Sequence, residues 1–207
     1  MVIPSPLAHR SASDVQPRVL VIACGALARE LLAITELNGL TNVTVECLPA
    51  SLHNRPKEIP ELVRTRIRRA RGQFGHAVPD TGCPSDKDLV DNALLDDGTR
   101  QASGQFDEIL IGYADCGTGG LLENVCVEEG VEMLAGAHCY QFFATHDRFE
   151  QLQDHALGSF YLTDFLARNW ERLIWEGMGI AKHPELRDMY FGNYTRCVYL
   201  EQSNDPK

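Results

Sequence analysis

Seven cysteines and seven histidines are spread through the 207 residues, and three of the cysteines stand where sulfur can do chemistry. Cys24 ends the run RVLVIA, Cys116 follows EILIGYAD, and Cys139 follows VEMLAGAH. These runs are apolar and rich in β-branched residues, the pattern of strands covered on both faces. In an open parallel sheet the ligand crevice lies outside the carboxyl ends of the strands, because loops and helix N-termini meet there. Three thiols at three strand ends are therefore expected to face one crevice. Cys24 and Cys116 are each followed by glycine and a helix start, where backbone N–H groups and the helix dipole favour thiolate over thiol. His53, in the loop after a further strand, and His138, beside Cys139, come from the same edge. Three thiolates and one imidazole are a usual ligand set for tetrahedral zinc, and three thiolates also suit an iron–sulfur cluster. The chain has no C-x-x-C and no H-E-x-x-H. The metal reading, with Cys24, Cys116, Cys139, His138 and His53 as ligands to Zn or Fe, thus rests on topology. Against it stands ordinary packing, in which a buried cysteine is a small hydrophobe and a histidine a hydrogen-bonding structural group.

Other groups near these thiols carry competing readings. Cys116 as nucleophile with Asp115 or His138 as base would make a metal-free cysteine enzyme. Asp115 equally suits an outer-shell partner of a metal or a cap on the helix that follows. Gly117-Thr118-Gly119-Gly120 before a helix can cradle an anionic cofactor with backbone donors. The complete G-x-x-x-x-G-K-[ST] and G-x-G-x-x-G patterns are missing, so ATP and NAD gain little support. Arg64, Arg66, Arg68, Arg69 and Arg71 surround one helix, either as a solvated face or as a docking surface for an acidic partner. Cys126 and Cys197 fall in apolar periodic segments and read as packing, Cys47 at a strand end reads as packing or as a fourth crevice residue, and Cys83 as incidental.

The elements that must position the site follow from periodicity. Residues 1–17, with three prolines, form a loose lead-in, and residues 18–207 a single α/β domain. RVLVIA is a strand, and the segment from Gly25 to Asn38-Gly39 a turn and a helix with Leu27, Leu31 and Ile34 or Leu37 on its apolar stripe. NVTVECLPA (42–50) is a second strand, and the helix after Pro56 buries Ile59, Val63, Ile67 and Ala70. Gly, Pro, Asp and Ser dominate residues 75–105, a lid or disordered excursion. Residues 106–115 and 131–136 are strands on either side of a helix. Residues 140–156 and 159–177 show helical spacing, and RCVYLEQ (196–202) is a closing strand. The expected fold is a mostly parallel, Rossmann-like or flavodoxin-like sheet with helices on both faces and a helical C-terminal half.

Composition limits the partners. Nineteen Lys and Arg against 29 Asp and Glu give a net charge of -10, which disfavours nucleic acid and anionic membrane surfaces. The longest apolar run, Val19 to Ala28, falls short of the roughly 18 residues of a membrane span. Val21-Ile22-Ala23-Cys24 imitates a lipoprotein cleavage site, but the apolar stretch before it is too short for a secretory signal of roughly 7–15 residues. A cytoplasmic protein with reduced thiols is expected.

The segments ACGALARE (23–30), LPASLHNRP (48–56), IGYADCGTGG (111–120), GAHCYQFF (136–143) and GSFYLTDFL (158–166) together resemble the DUF1638 family of bacterial and archaeal proteins. The resemblance covers roughly residues 18–200 apart from the excursion. It places Cys24, His53, Cys116, His138 and Cys139 among the family's motif residues. It also implies a context of corrinoid-dependent methylamine and related one-carbon methyl transfer. The leading expectation is a metal-binding protein of one-carbon or small-amine metabolism, acting on a small molecule or with a methyltransferase or corrinoid protein. The alternatives are the metal-free cysteine enzyme and a noncatalytic accessory protein docking through its arginine helix. At the carboxyl end, similar proteins continue past the last strand. Residues 196–200 are accordingly expected at a sheet edge with Val198 and Leu200 partly uncovered, favouring a homodimer.

Overall fold

In a computed structural model of the chain, residues 16–73, 106–139, 141–155 and 157–202 are described here. The proposed excursion at 75–105, with Cys83, and nearly all of the lead-in at 1–17 lie outside them. The apolar run becomes strand β1 (Val19–Cys24), whose Leu20, Ile22 and Cys24 are fully buried. It pairs in parallel with β2 (Val43–Leu48) on one side and β3 (Glu108–Gly112) on the other, and β4 (Glu132–Met133) extends β3. The order β2-β1-β3-β4, all parallel, is the flavodoxin-like one. Its winding reverses between β1 and β3, the switch point at which such sheets open a crevice. There Gly112 lies opposite Ala23, and a Cβ on Gly112 would sit 2.7 Å from that of Ala23. Only glycine permits this approach.

Helices cover both faces. On one, α1 (Ala28–Leu37) sets Leu31 and Leu32 against Val21, Ala23 and Val45. Its apolar stripe differs from the expected one, because Ile34 is 47% and Leu37 85% exposed. Leu27 belongs to a 3-10 turn, Gly25–Leu27, that precedes the helix, and the tighter winding of such a turn breaks the α-helical count. On the other face, α2 (Ile59–Ala70) buries Ile59, Val63, Ile67 and Ala70 as the periodicity predicts. Beside it α3 (Leu121–Glu129) buries Leu122, Val125 and Cys126, the last as packing. The arginine helix is not an array of unpaired cations. Arg64, Arg68 and Arg71 all reach Glu129 of α3, at 3.3, 2.8 and 3.3 Å, and Arg64 also reaches Glu128 at 2.7 Å. Arg66 pairs with Glu46 of β2 at 3.2 Å. These contacts bind α2 to α3 and to the sheet, and they leave the docking reading without most of its charge.

The C-terminal part is less helical than its spacing suggested. Residues 141–155 form α4 (Gln141–Ala144) and α5 (His146–His155), but β5 (Ser159–Thr163) stands where a helix was expected. Its side chains alternate: Phe160 stacks edge-on with Trp170, Phe191 and Tyr194, while Tyr161 meets Phe149. Thr163 then caps α6 (Asp164–Arg168) by accepting from the Leu166 N–H, and a π-helical turn (Glu171–Glu176) and α7 (Leu186–Phe191) follow. The closing strand, β6 (Arg196–Leu200), pairs in parallel with β5 as a separate two-stranded sheet, with Val198 and Leu200 only half-buried. Leu173 of the π-helical turn and Phe165 and Leu166 of α6 pack against the core of the main sheet. Among the described residues, no helix is long and apolar enough to cross a membrane.

Candidate metal centre

All four parallel strands deliver one sulfur or imidazole group to the same edge. Cys24 is the last residue of β1, and its sulfur caps the turn that follows by accepting from the Ala26 N–H at 3.4 Å. His53 lies in the 3-10 turn Ala50–Asn54 that follows β2. Cys116 lies in the turn after β3, and Cys139 in the loop after β4. The last two are drawn together because hydrogen bonding between their chain segments continues past the strands. Asp115 N–H donates to the Gly136 carbonyl at 3.0 Å and Cys116 N–H to that of Ala137 at 2.9 Å. Cys116 adopts a left-handed backbone, φ 48°, a conformation that costs a non-glycine residue on the order of 1–3 kcal/mol and clusters at functional sites.

Ligand atoms of His53, Cys116 and Cys139 all lie within 4.8 Å of one another. The two sulfurs are 2.8 Å apart without being joined, and both residues are buried. Cys24 joins the group through His53, its sulfur 3.7 Å from Nδ1. The same Nδ1 lies 3.3 Å from the Ala50 carbonyl. A carbonyl only accepts, so Nδ1 is the donor in this contact, which leaves Nε2 as the nitrogen to face an ion. That backbone partner is the outer-shell contact that metal-bound histidines use to fix their tautomer. His138 stands nearby without joining the set; burial and then the neighbouring His53 lower its pKa, against a smaller opposing effect of Asp115.

The surroundings of these groups give no support to two expectations about charge. Cys24 and Cys116 are not tuned towards thiolate. Burial pushes Cys24 up to about 12, and the hydrogen bond with Cys139, followed by burial, pushes Cys116 well above its ordinary value. Only a 3-10 turn follows Cys24, and α3 begins five residues after Cys116, so neither sulfur sits at the start of an α-helix. Asp115 is not placed as a base. Its carboxylate accepts from the N–H groups of Gly117, Gly119 and Gly120 and from the Thr118 hydroxyl, at 2.7–3.2 Å. Burial raises its pKa, but these four bonds outweigh burial and hold the carboxyl below its ordinary range. The same bonds occupy the donors of Gly117, Thr118, Gly119 and Gly120 that the sequence offered to an anionic cofactor. The loop is a cradle already filled by its own carboxylate.

Sequence reasoning passed over two groups. Tyr113, fully buried just after β3, lies near Cys24, Cys139 and Cys116, and its buried hydroxyl makes no hydrogen bond among the described residues. Its one signal was a phenol in an otherwise apolar run, three residues before Cys116. Ala50 contributes through its carbonyl, which no side-chain pattern can announce. Cys47 remains outside the group, paired along β1 opposite Ala23.

A family model described as protein of unknown function (DUF1638) matches residues 47–207, more than half of the chain. The match takes in His53, Cys116 and Cys139 and begins after Cys24. No curated protein and no solved structure matches the chain.

Proposed function

Because the chain belongs to the DUF1638 family, whose description states no activity, its chemistry has to be read from the site, and we propose that it is a metal-binding protein. In this reading His53, Cys116 and Cys139 hold a zinc or iron ion at the C-terminal edge of the sheet. One observation carries it: an imidazole and two thiols from three separate loops converge within 4.8 Å. Two sulfurs and one nitrogen are soft to borderline donors that select zinc-type ions over magnesium or calcium. A site with three protein ligands keeps a fourth position for water or substrate, the arrangement of catalytic rather than structural zinc. Cys24 then stands beside the His53 Nδ1, outside the ligand set. A bound zinc-type ion would supply Lewis acidity, lowering the pKa of a water or thiol in the fourth position. That chemistry suits the one-carbon transfer implied by the resemblance.

Protein purified without chelator is expected to carry near-stoichiometric Zn or Fe by elemental analysis. Cys116→Ser, Cys139→Ser and His53→Ala should each lose most of it, since a hydroxyl or methyl group is a poor ligand for such ions. Cys126→Ser, buried in α3, should retain it. Equal metal content in all four variants would defeat the assignment. Turnover of methylamines with and without a corrinoid protein tests the one-carbon role separately.

A further inference from the structure

Cys116 and Cys139 meet more closely than shared ligation alone requires. Sulfurs around one zinc, each bound at about 2.3 Å, are roughly 3.8 Å apart, whereas a disulfide is about 2.05 Å long. At 2.8 Å this pair lies between the two. The chain segments that carry it are held by the Asp115–Gly136 and Cys116–Ala137 backbone bonds, so neither thiol has to travel to reach the other. The surroundings also restrict what can react there. Cys116 is 7% and Cys139 4% exposed, so a small oxidant meets less hindrance there than a peptide disulfide would.

From this geometry we infer that Cys116 and Cys139 form a peroxide-reactive dithiol that closes to a disulfide and thereby gives up its metal. Cys116, the more exposed of the two residues, reacts through the small fraction that has lost its proton: the thiolate attacks one peroxide oxygen, the O–O bond breaks, and hydroxide leaves, so Cys116 becomes a sulfenic acid. The Cys139 sulfur then attacks the Cys116 sulfur; the S–S bond forms, the S–O bond breaks, and a second hydroxide leaves. The two hydroxides take up the two thiol protons as water. In balance, two thiols and one hydrogen peroxide give one disulfide and two waters, with the protein oxidised by two electrons. A disulfide retains no thiolate for an ion, so ligation and oxidation exclude each other. Closure of the pair stands independently of the metal reading, and only the release of the ion rests on it.

The test treats the full chain with hydrogen peroxide in two forms, zinc-loaded and chelator-stripped. It follows intact mass, non-reducing peptide maps and zinc release to a colorimetric chelator. The expected result is a loss of two hydrogens per chain, a Cys116–Cys139 link in the peptide map, and one zinc released per link in the loaded form. Cys24→Ser and Cys126→Ser should form the link, and Cys116→Ser and Cys139→Ser should not. The link has to appear in the unaltered chain as well, so misfolding of a variant does not decide the question. Sulfinic acid at Cys116 without a cross-link, or a link from Cys116 to Cys24, would overturn the proposal. A chain that binds neither zinc nor iron yet forms the Cys116–Cys139 link would sink the metal reading and leave this one standing. A chain that binds zinc but never forms the link would do the reverse.

Discussion

Cys24 shows what burial does to an ionisable side chain that has no counter-charge. It is fully buried, and that burial raises its pKa from the ordinary 9.0 to about 12. A thiol with a higher pKa folded than unfolded keeps its proton in the native state while the unfolded chain loses it. Stability therefore falls as pH rises through that window. In chelator-stripped protein, moving from pH 8 to pH 10 should cost about 1.4 kcal/mol through Cys24. Urea unfolding at the two pH values checks this, and Cys24→Ala should shrink the difference by that amount. An unchanged difference in the variant would mean that the thiol is not desolvated. The positions of Cys24, Cys116, Cys139 and His53 at strand ends could be read from the sequence, because strand periodicity fixes where a chain leaves the sheet. The state of the sulfurs could not. It depends on Tyr113, on Ala50 and on the mutual approach of Cys116 and Cys139, all set by loop geometry without a sequence period.

Among the elements, α2 and α3 are joined by a carboxylate as well as by apolar contact. Glu129 is almost completely shielded and receives Arg64, Arg68 and Arg71. Removing its charge would leave three guanidinium groups converging on a neutral amide, whose one oxygen accepts but offsets none of their charge. Glu129→Gln is therefore expected to destabilise the fold by about 2 kcal/mol, in the range of hydrogen bonds to charged groups, with a matching drop in the urea midpoint. Glu128→Gln, whose carboxylate is mostly exposed, should cost well under half of that. The arginine spacing was plain in the sequence, but the partners were not, since they come from α3 and β2. A similar limit hid β5. Its aromatic residues fit a three- and four-residue spacing when counted through to Trp170, yet Phe160 and Tyr161 point to opposite sides. Over so short a segment the two periods overlap. The parallel order β2-β1-β3-β4 was more accessible, because continuous apolar strands alternating with amphipathic helices admit few other arrangements.

Taken whole, the molecule contains two sheets of unequal security. The four-stranded sheet is covered on both faces, whereas β5 and β6 form a two-stranded sheet with no further strand on either edge among the described residues. Leu157, Met189, Tyr194 and Tyr199 lie exposed in this C-terminal part, with Leu157 at 88%. Open strand edges beside apolar side chains favour pairing with a second chain. Analytical ultracentrifugation at micromolar concentration should show a dimer that Tyr199→Lys weakens, and a monomer would refute this. The other whole-molecule consequence concerns the ordering of the chain. Positions 53, 116 and 139 are far apart in sequence but meet at one point, so an ion there acts as a three-way junction in a polymer. It has no counterpart in the unfolded chain, where the same three residues are separated by long, costly loops. Occupancy would thus be paid back as folding free energy, about 2.7 kcal/mol at free zinc 100 times its dissociation constant. Under the metal reading, the urea midpoint of the chain would rise with the supply of zinc.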